Sequence, residues 1–98
     1  MIVEERMVSY ICSLEQENSE ILETIEKEAL DANVPIIRKE MQSFLKVLLG
    51  IKRPASVLEV GAAVGFSAIL MSEHVPADTK ITTIENYEKR IPIARNNF

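Results

Sequence analysis

The sequence predicts an α/β fold in which three helices precede a strand–helix–strand–helix unit, leaving a parallel sheet incomplete. Two observations carry this. Ser56-Val57-Leu58-Glu59-Val60 and Ile81-Thr82-Thr83-Ile84 are short apolar or β-branched runs, ended by Gly61 and by Glu85, and each reads as a buried strand. Before, between and after them, apolar residues return at helical spacing.

The first stretch, Val3 to Gln16, sets Met7, Val8, Ile11, Cys12 and Leu14 at that spacing. Asn18 or Ser19 can cap a second helix, whose stripe is Ile21, Leu22, Ile25, Ala29 and Leu30, with acids on the other face. Asn33-Val34-Pro35 breaks it, because the residue before a proline is pushed out of the helical region. A third helix runs from about Lys39 to Leu49, with Phe44, Leu45, Val47, Leu48 and Leu49 as its buried side and Gly50 as its C-terminal cap. Arg53-Pro54 closes the connection to the first strand. Gly61 to Gly65 is then a tight turn into a helix from Phe66 to Val75, which Pro76 ends. After Glu85, helical character resumes by Ile91 and continues to Phe98.

A strand–helix–strand unit of this length implies parallel pairing through a right-handed crossover. The change of period divides the chain into a helical cap region over 1–52 and a β-α-β-α core over 53–98. Two parallel strands do not make a stable doubly wound sheet, so the expectation is a fragment of a longer domain.

Composition narrows the class. The chain has 98 residues, 47% of them hydrophobic and 27% charged, which is ordinary globular composition. No apolar run approaches a membrane span, and the start is acidic rather than signal-like. A single cysteine, Cys12, cannot form an internal disulfide, and the natural reading is a reduced, cytoplasmic protein. The net charge of −4 gathers in residues 1–40, where ten acids face four bases; the remainder holds five acids against seven bases. Nothing forms a dense basic patch for phosphate backbones.

The informative segment is Glu59-Val60-Gly61-Ala62-Ala63-Val64-Gly65-Phe66-Ser67. A glycine turn between strand and helix lets backbone approach a ligand where a side chain would collide, and N–H groups at a helix start favour an anionic group. A dinucleotide fingerprint needs glycine at 61, 63 and 66, but Ala63 and Phe66 fill two of these positions. Glu59, Gly61 and Gly65 instead suit a smaller ligand with one carboxylate, such as S-adenosylmethionine. Glu85, twenty positions after Gly65, stands where a carboxylate can accept both hydroxyls of a ribose. The plainer alternative is that both glycines only permit a tight connection and Glu85 is an exposed strand-end acid; against it, a buried Glu59 needs a polar partner.

Leu58-Glu59-Val60-Gly61-Ala62-Ala63-Val64-Gly65-Phe66-Ser67-Ala68, followed by Thr83-Ile84-Glu85, resembles the catechol O-methyltransferase-like class I S-adenosylmethionine-dependent methyltransferases. Val34-Pro35-Ile36-Ile37, Phe44-Leu45 and Arg53-Pro54 are similar to the bacterial branch of tRNA 5-hydroxyuridine methyltransferases. The resemblance covers residues 30–98 well and the first two helices by pattern only. It implies the N-terminal part of a Rossmann-like class I methyltransferase fold, with S-adenosyl-L-methionine as cofactor. Gly61 and Ala63 would let the turn hug the methionine part, Ser67 would donate to its carboxylate, Glu85 would hold the ribose and Asn86 would lie against the adenine. Ile37 falls where the family closes over the cofactor. Ordinary core packing for Ile37, and a plain helix start for Ser67, stay open.

By the same resemblance the intact protein carries Mg²⁺ and forms a homodimer. The family's metal ligands, two aspartates and an asparagine, match no residue here, and catalytic residues are expected C-terminal to Phe98. Pro92 departs from a continuous helix, so the last helix is expected to start late or bend. The acceptor implied is 5-hydroxyuridine in tRNA, with a small catechol-like phenolic acceptor as competitor. A non-catalytic binding or assembly domain, and a nucleotide-dependent oxidoreductase disfavoured by Ala63 and Phe66, are the rival classes. His74 reads as a solvated helix-end residue, the acids of the second helix as a solvated face, and Tyr87 as cover for a helix start.

Overall fold

The computed structural model describes residues 4–14 and 17–98. Among these, the elements are α1 (Glu5–Ser13), α2 (Glu20–Asp31), α3 (Lys39–Lys52), β1 (Ser56–Val60), α4 (Phe66–Ser72), β2 (Lys80–Ile84) and α5 (Ile91–Asn97). The order matches the expected helices followed by β-α-β-α. The ends of the first expected helix, at Val3 and Gln16, lie outside the described residues. β1 and β2 pair in parallel, with Ser56 opposite Lys80 and Val60 opposite Ile84.

The core forms where α2 meets α4. Leu22, Ile25 and Ala29 from α2 pack with Val64, Phe66 and Leu70, and Val34, Ile36, Ile37, Leu45 and Ile69 close around them. Enclosing one such aliphatic or aromatic side chain contributes about 1.5–3 kcal/mol. Leu22, Ile25 and Ala29 recur at i, i+3 and i+7, as one face of a helix requires. Ile21 and Leu30, assigned to the same stripe, are exposed, since they lie off the side that α4 covers.

The breaks have local causes. After α2, Asn33 takes a left-handed conformation, φ 57°. Its N–H donates to the Leu30 carbonyl and that of Val34 to the Ala29 carbonyl, the bond pair that closes many helix ends. Ser19 stands at the α2 N-cap, but its hydroxyl donates to Glu73 Oε2 at 2.8 Å instead of capping. The backbone N–H of Asn18 donates to Glu23 Oε1 at 3.1 Å.

Gly50 is not the cap of α3. The helix runs through it to Lys52, and Arg53 takes the left-handed cap at φ 46°, its N–H donating to the Leu49 carbonyl. The stop belongs to Pro54, which has no N–H to continue the ladder. α4 ends at Ser72, short of the expected Val75, and His74 is half-buried with Nδ1 donating to the Leu70 carbonyl at 2.9 Å. In α5, Pro92 sits in the first turn, where a missing N–H costs nothing, so the helix starts late at Ile91.

The largest correction concerns α3. Of its expected buried side, Leu49 is buried and Leu45 half-buried, while Phe44, Val47 and Leu48 face outward. Gln42, 0% exposed, takes the enclosed position one turn before Leu45. The α2 acids are not wholly a solvated face either: Glu26 is 9% exposed. It accepts from Gln42 Nε2 at 3.0 Å, and Lys39 Nζ stands 3.1 Å from its other oxygen. At Lys39, partial burial opposes the charge, but the bond and charge of Glu26, aided by Glu23, outweigh it and hold the ammonium above its ordinary pKa. The strands depart from expectation as well, with Leu58, Val60 and Ile84 exposed along one face of the sheet among the described residues.

Candidate functional site

β1 and β2 end in register, so Gly61 and Glu85, the residues that follow them, stand at the same carboxyl edge of the sheet. The N–H groups of Gly61 and Ala62 both donate to the Ile84 carbonyl, at 2.7 and 3.1 Å. The chain then turns within four residues. Gly61 (φ 93°), Ala63 (φ 50°) and Gly65 (φ 91°) are all left-handed, and Gly65 N–H donates to the Ala62 carbonyl at 2.8 Å. Only glycine takes the first and third angles without strain.

Glu85 closes this turn. Its Oε1 accepts from the Ala63 N–H at 2.7 Å and its Oε2 from the Tyr87 N–H at 2.9 Å. The Tyr87 and Ala63 amides hold the carboxyl below its usual range against partial desolvation, with the Arg90 charge and the Asn86 amide adding to them. A carboxylate offers about four acceptor positions, more than these amides use. Because its folded pKa is depressed, this carboxylate contributes stability above its ordinary value and loses it as pH falls through the depressed value.

Two hollows open beside the turn and share Ala62. The first, about 210 Å³, is lined by Pro35, Ile36, Ile37, Gly61, Ala62, Ala63, Phe66 and Ser67. The second, about 200 Å³, contains Glu85 with Thr83, Ile91, Ala94, Arg95 and Phe98. A Cβ built on Gly61 meets nothing within 4 Å, so open space lies where a ligand could approach the backbone.

The structure thus brings Ile37, Gly61, Ala63 and Ser67 together in one hollow and sets Glu85 in the next, tied to the turn through Ala63. Three expected site residues line neither. Glu59 Oε1 accepts from the Thr83 hydroxyl at 2.6 Å, so its polar partner is the neighbouring strand. Gly65 is buried against Phe98, whose ring would lie 2.8 Å from an added Cβ. Asn86 is exposed.

Several residues escaped the sequence. Ile36 stood beside Ile37 in an apolar run, a signal that could have been used. Arg95 and Phe98 reach the second hollow through the packing of α5, and Asn97 Nδ2 donates to the Val64 carbonyl at 2.8 Å; no local pattern announces this. Among the described residues no three His, Cys, Asp or Glu side chains gather as a metal cluster, and no helix is long and apolar enough to cross a membrane.

Solved structures share this fold. An O-methyltransferase from Bacillus cereus, in complex with SAH, is 26% identical with a TM-score of 0.79 over 94% of this chain and 43% of its own. A Staphylococcus aureus protein assigned as a caffeoyl-CoA O-methyltransferase is 30% identical with a TM-score of 0.85, over 95% of this chain and 44% of its own. A Geobacter sulfurreducens methyltransferase, 23% identical with a TM-score of 0.85 over 99% of this chain, has the same fold. The chain spans between 43% and 51% of the length of these three proteins. A comparison with protein families matches residues 12–98 to the O-methyltransferases. Since that match takes in nearly all of the sequence, from Cys12 to Phe98, this chain belongs to the O-methyltransferase family.

Proposed function

We propose that the chain supplies the S-adenosyl-L-methionine-binding part of an O-methyltransferase that methylates a hydroxyl. One observation carries the reading: a left-handed glycine turn and a strand-end carboxylate meet at one sheet edge, joined by the Ala63–Glu85 bond. The likeness to the Bacillus cereus protein, whose structure contains SAH, supports it.

The residues present fit such a ligand. Open space at Gly61 admits it against the backbone. Glu85, ionised at neutral pH, has acceptor positions for the ribose hydroxyls. Ser67 offers an O–H to the amino-acid carboxylate, and Ile36 and Ile37 offer an apolar wall. Asn86 would lie beside the adenine. Glu59 acts from outside the hollows, holding β2 beside β1 through Thr83. When bound, S-adenosylmethionine supplies an electrophilic methyl group for direct displacement by a hydroxyl oxygen, and alignment of the two is the protein's main contribution.

For the intact protein we propose Mg²⁺ held by residues other than those described here, a homodimer and a cytoplasmic location. The outward Phe44, Val47 and Leu48 of α3 support self-association. The acceptor proposed is 5-hydroxyuridine in tRNA, on the resemblance of Val34–Ile37 and Arg53-Pro54 to that bacterial branch. A catechol-like phenol is the second reading, favoured by the likeness to the Staphylococcus aureus protein.

Calorimetric titration of the intact protein with S-adenosylmethionine and with NAD, beside a Glu85→Ala variant, tests the cofactor. Loss of two hydrogen bonds to a charged group weakens S-adenosylmethionine binding roughly tenfold to hundredfold. Tight NAD binding, or indifference to the variant, overturns the reading. Labelled cofactor offered with tRNA or with a catechol then assigns the acceptor by where label appears.

A further inference from the structure

Gln42 is 0% exposed, and a buried amide is costly unless its donors and acceptor are satisfied. All are used here. Nε2 donates to Glu26 Oε2 at 3.0 Å and to the Ile37 carbonyl at 2.9 Å. Oε1 accepts from Asn18 Nδ2 at 2.9 Å, and Asn18 Oδ1 in turn accepts from Lys46 Nζ at 2.6 Å. Lys39 completes the set by its ion pair with Glu26.

The bond to Ile37 links this network to the first hollow. Pro35, Ile36 and Ile37 form the wall opposite Gly61, Ala63 and Ser67, yet residues 34–38 have no regular backbone structure of their own. At its start the segment is tied by the Val34 N–H to the Ala29 carbonyl. Toward α3 it is tied by Gln42. An apolar replacement of similar size would suffice to fill the space between α2 and α3; a donor aimed at the Ile37 carbonyl serves the wall.

We propose that Gln42 is a positioning residue for the cofactor hollow, holding Ile37 and its neighbours across from the glycine turn. The inference rests on the reading of that hollow as an S-adenosylmethionine site. Gln42→Met keeps the volume and removes the bonds, and S-adenosylhomocysteine is the probe. In the intact protein the variant binds it about tenfold more weakly by calorimetry. Ile37→Ala, which removes the wall side chain but keeps the carbonyl, also weakens binding, and the double variant is no weaker than the poorer single one, because both act through one wall. A role confined to stability gives a lower melting temperature with unchanged affinity, or additive losses; either result overturns the proposal.

Should Gln42→Met fail to fold, the wild-type protein decides. Adding S-adenosylhomocysteine shifts the Gln42 side-chain amide resonances and slows exchange at the amides of 36–38; unchanged signals in a protein that binds the probe refute the coupling. Wild-type protein that does not bind the probe at all overturns the cofactor reading and this inference together, whereas binding indifferent to Gln42 overturns this inference alone.

Discussion

Leu22, Phe66 and Leu70 lie wholly inside the contact of α2 with α4, whereas Phe44, Val47 and Leu48, just as apolar, face outward from α3. Both sets sit on helices. The difference is what stands opposite: α4 and the glycine turn cover one side of α2, while the described residues leave the outer side of α3 and the Leu58, Val60 and Ile84 face of the sheet bare. Apolar periodicity tells which side of a helix can be buried; a partner decides whether it is. The candidate site lies on the covered side, where Val64 of the turn and Phe66 just after it belong to the core.

The contrast breaks most readily at Phe66. Phe66→Ala is expected to cost about 3–5 kcal/mol by urea unfolding of the full chain. A loss no greater than that of an exposed residue would mean the α2–α4 contact is not the core.

Gly61→Ala comes next, at about 1–3 kcal/mol, because φ 93° strains any side chain even where space is open. Thermal melting reads this cost. The same variant should also weaken S-adenosylmethionine binding by occupying the approach to the backbone; unchanged binding would separate the turn from the ligand.

Lys39→Met removes the cation from buried Glu26 and should cost about 1 kcal/mol, a modest figure because Lys39 is more than a third exposed. The pH dependence has a definite sign. With its folded pKa raised, Lys39 contributes fully below its ordinary value, and the gap between wild type and variant closes as pH rises through the raised value. A gap that widens in that window contradicts the pairing.

Smallest is Phe44→Ser, expected within about 0.5 kcal/mol in the monomeric chain. If the intact protein self-associates through α3, the same substitution shifts its sedimentation toward monomer while leaving monomer stability alone. A large loss in the monomer would show that α3 has a covered outer face after all.

Much of this was legible locally. The strands were read to within a residue, since runs too short for a helix, apolar or β-branched and bounded by glycine or an acid, suit strands best. The pairing of Gly61 with Glu85 followed from their places after the two strands. Other features were not. Gly50 resembled a cap, but Pro54 set the end of α3. Gly65 resembled a ligand contact, but it admits Phe98.

The sequence by itself determined the order of elements, the sharp turn and the acid at the strand end, because spacing, chirality and proline act over a few residues. Tertiary structure alone decided that Gln42 and Glu26 are enclosed while Phe44 and Val60 are bare, and that Ile37 faces the turn. Burial depends on what another segment covers, and hydrogen bonds such as Gln42 to Ile37 or Ala63 to Glu85 exist only once packing has brought together the groups they join.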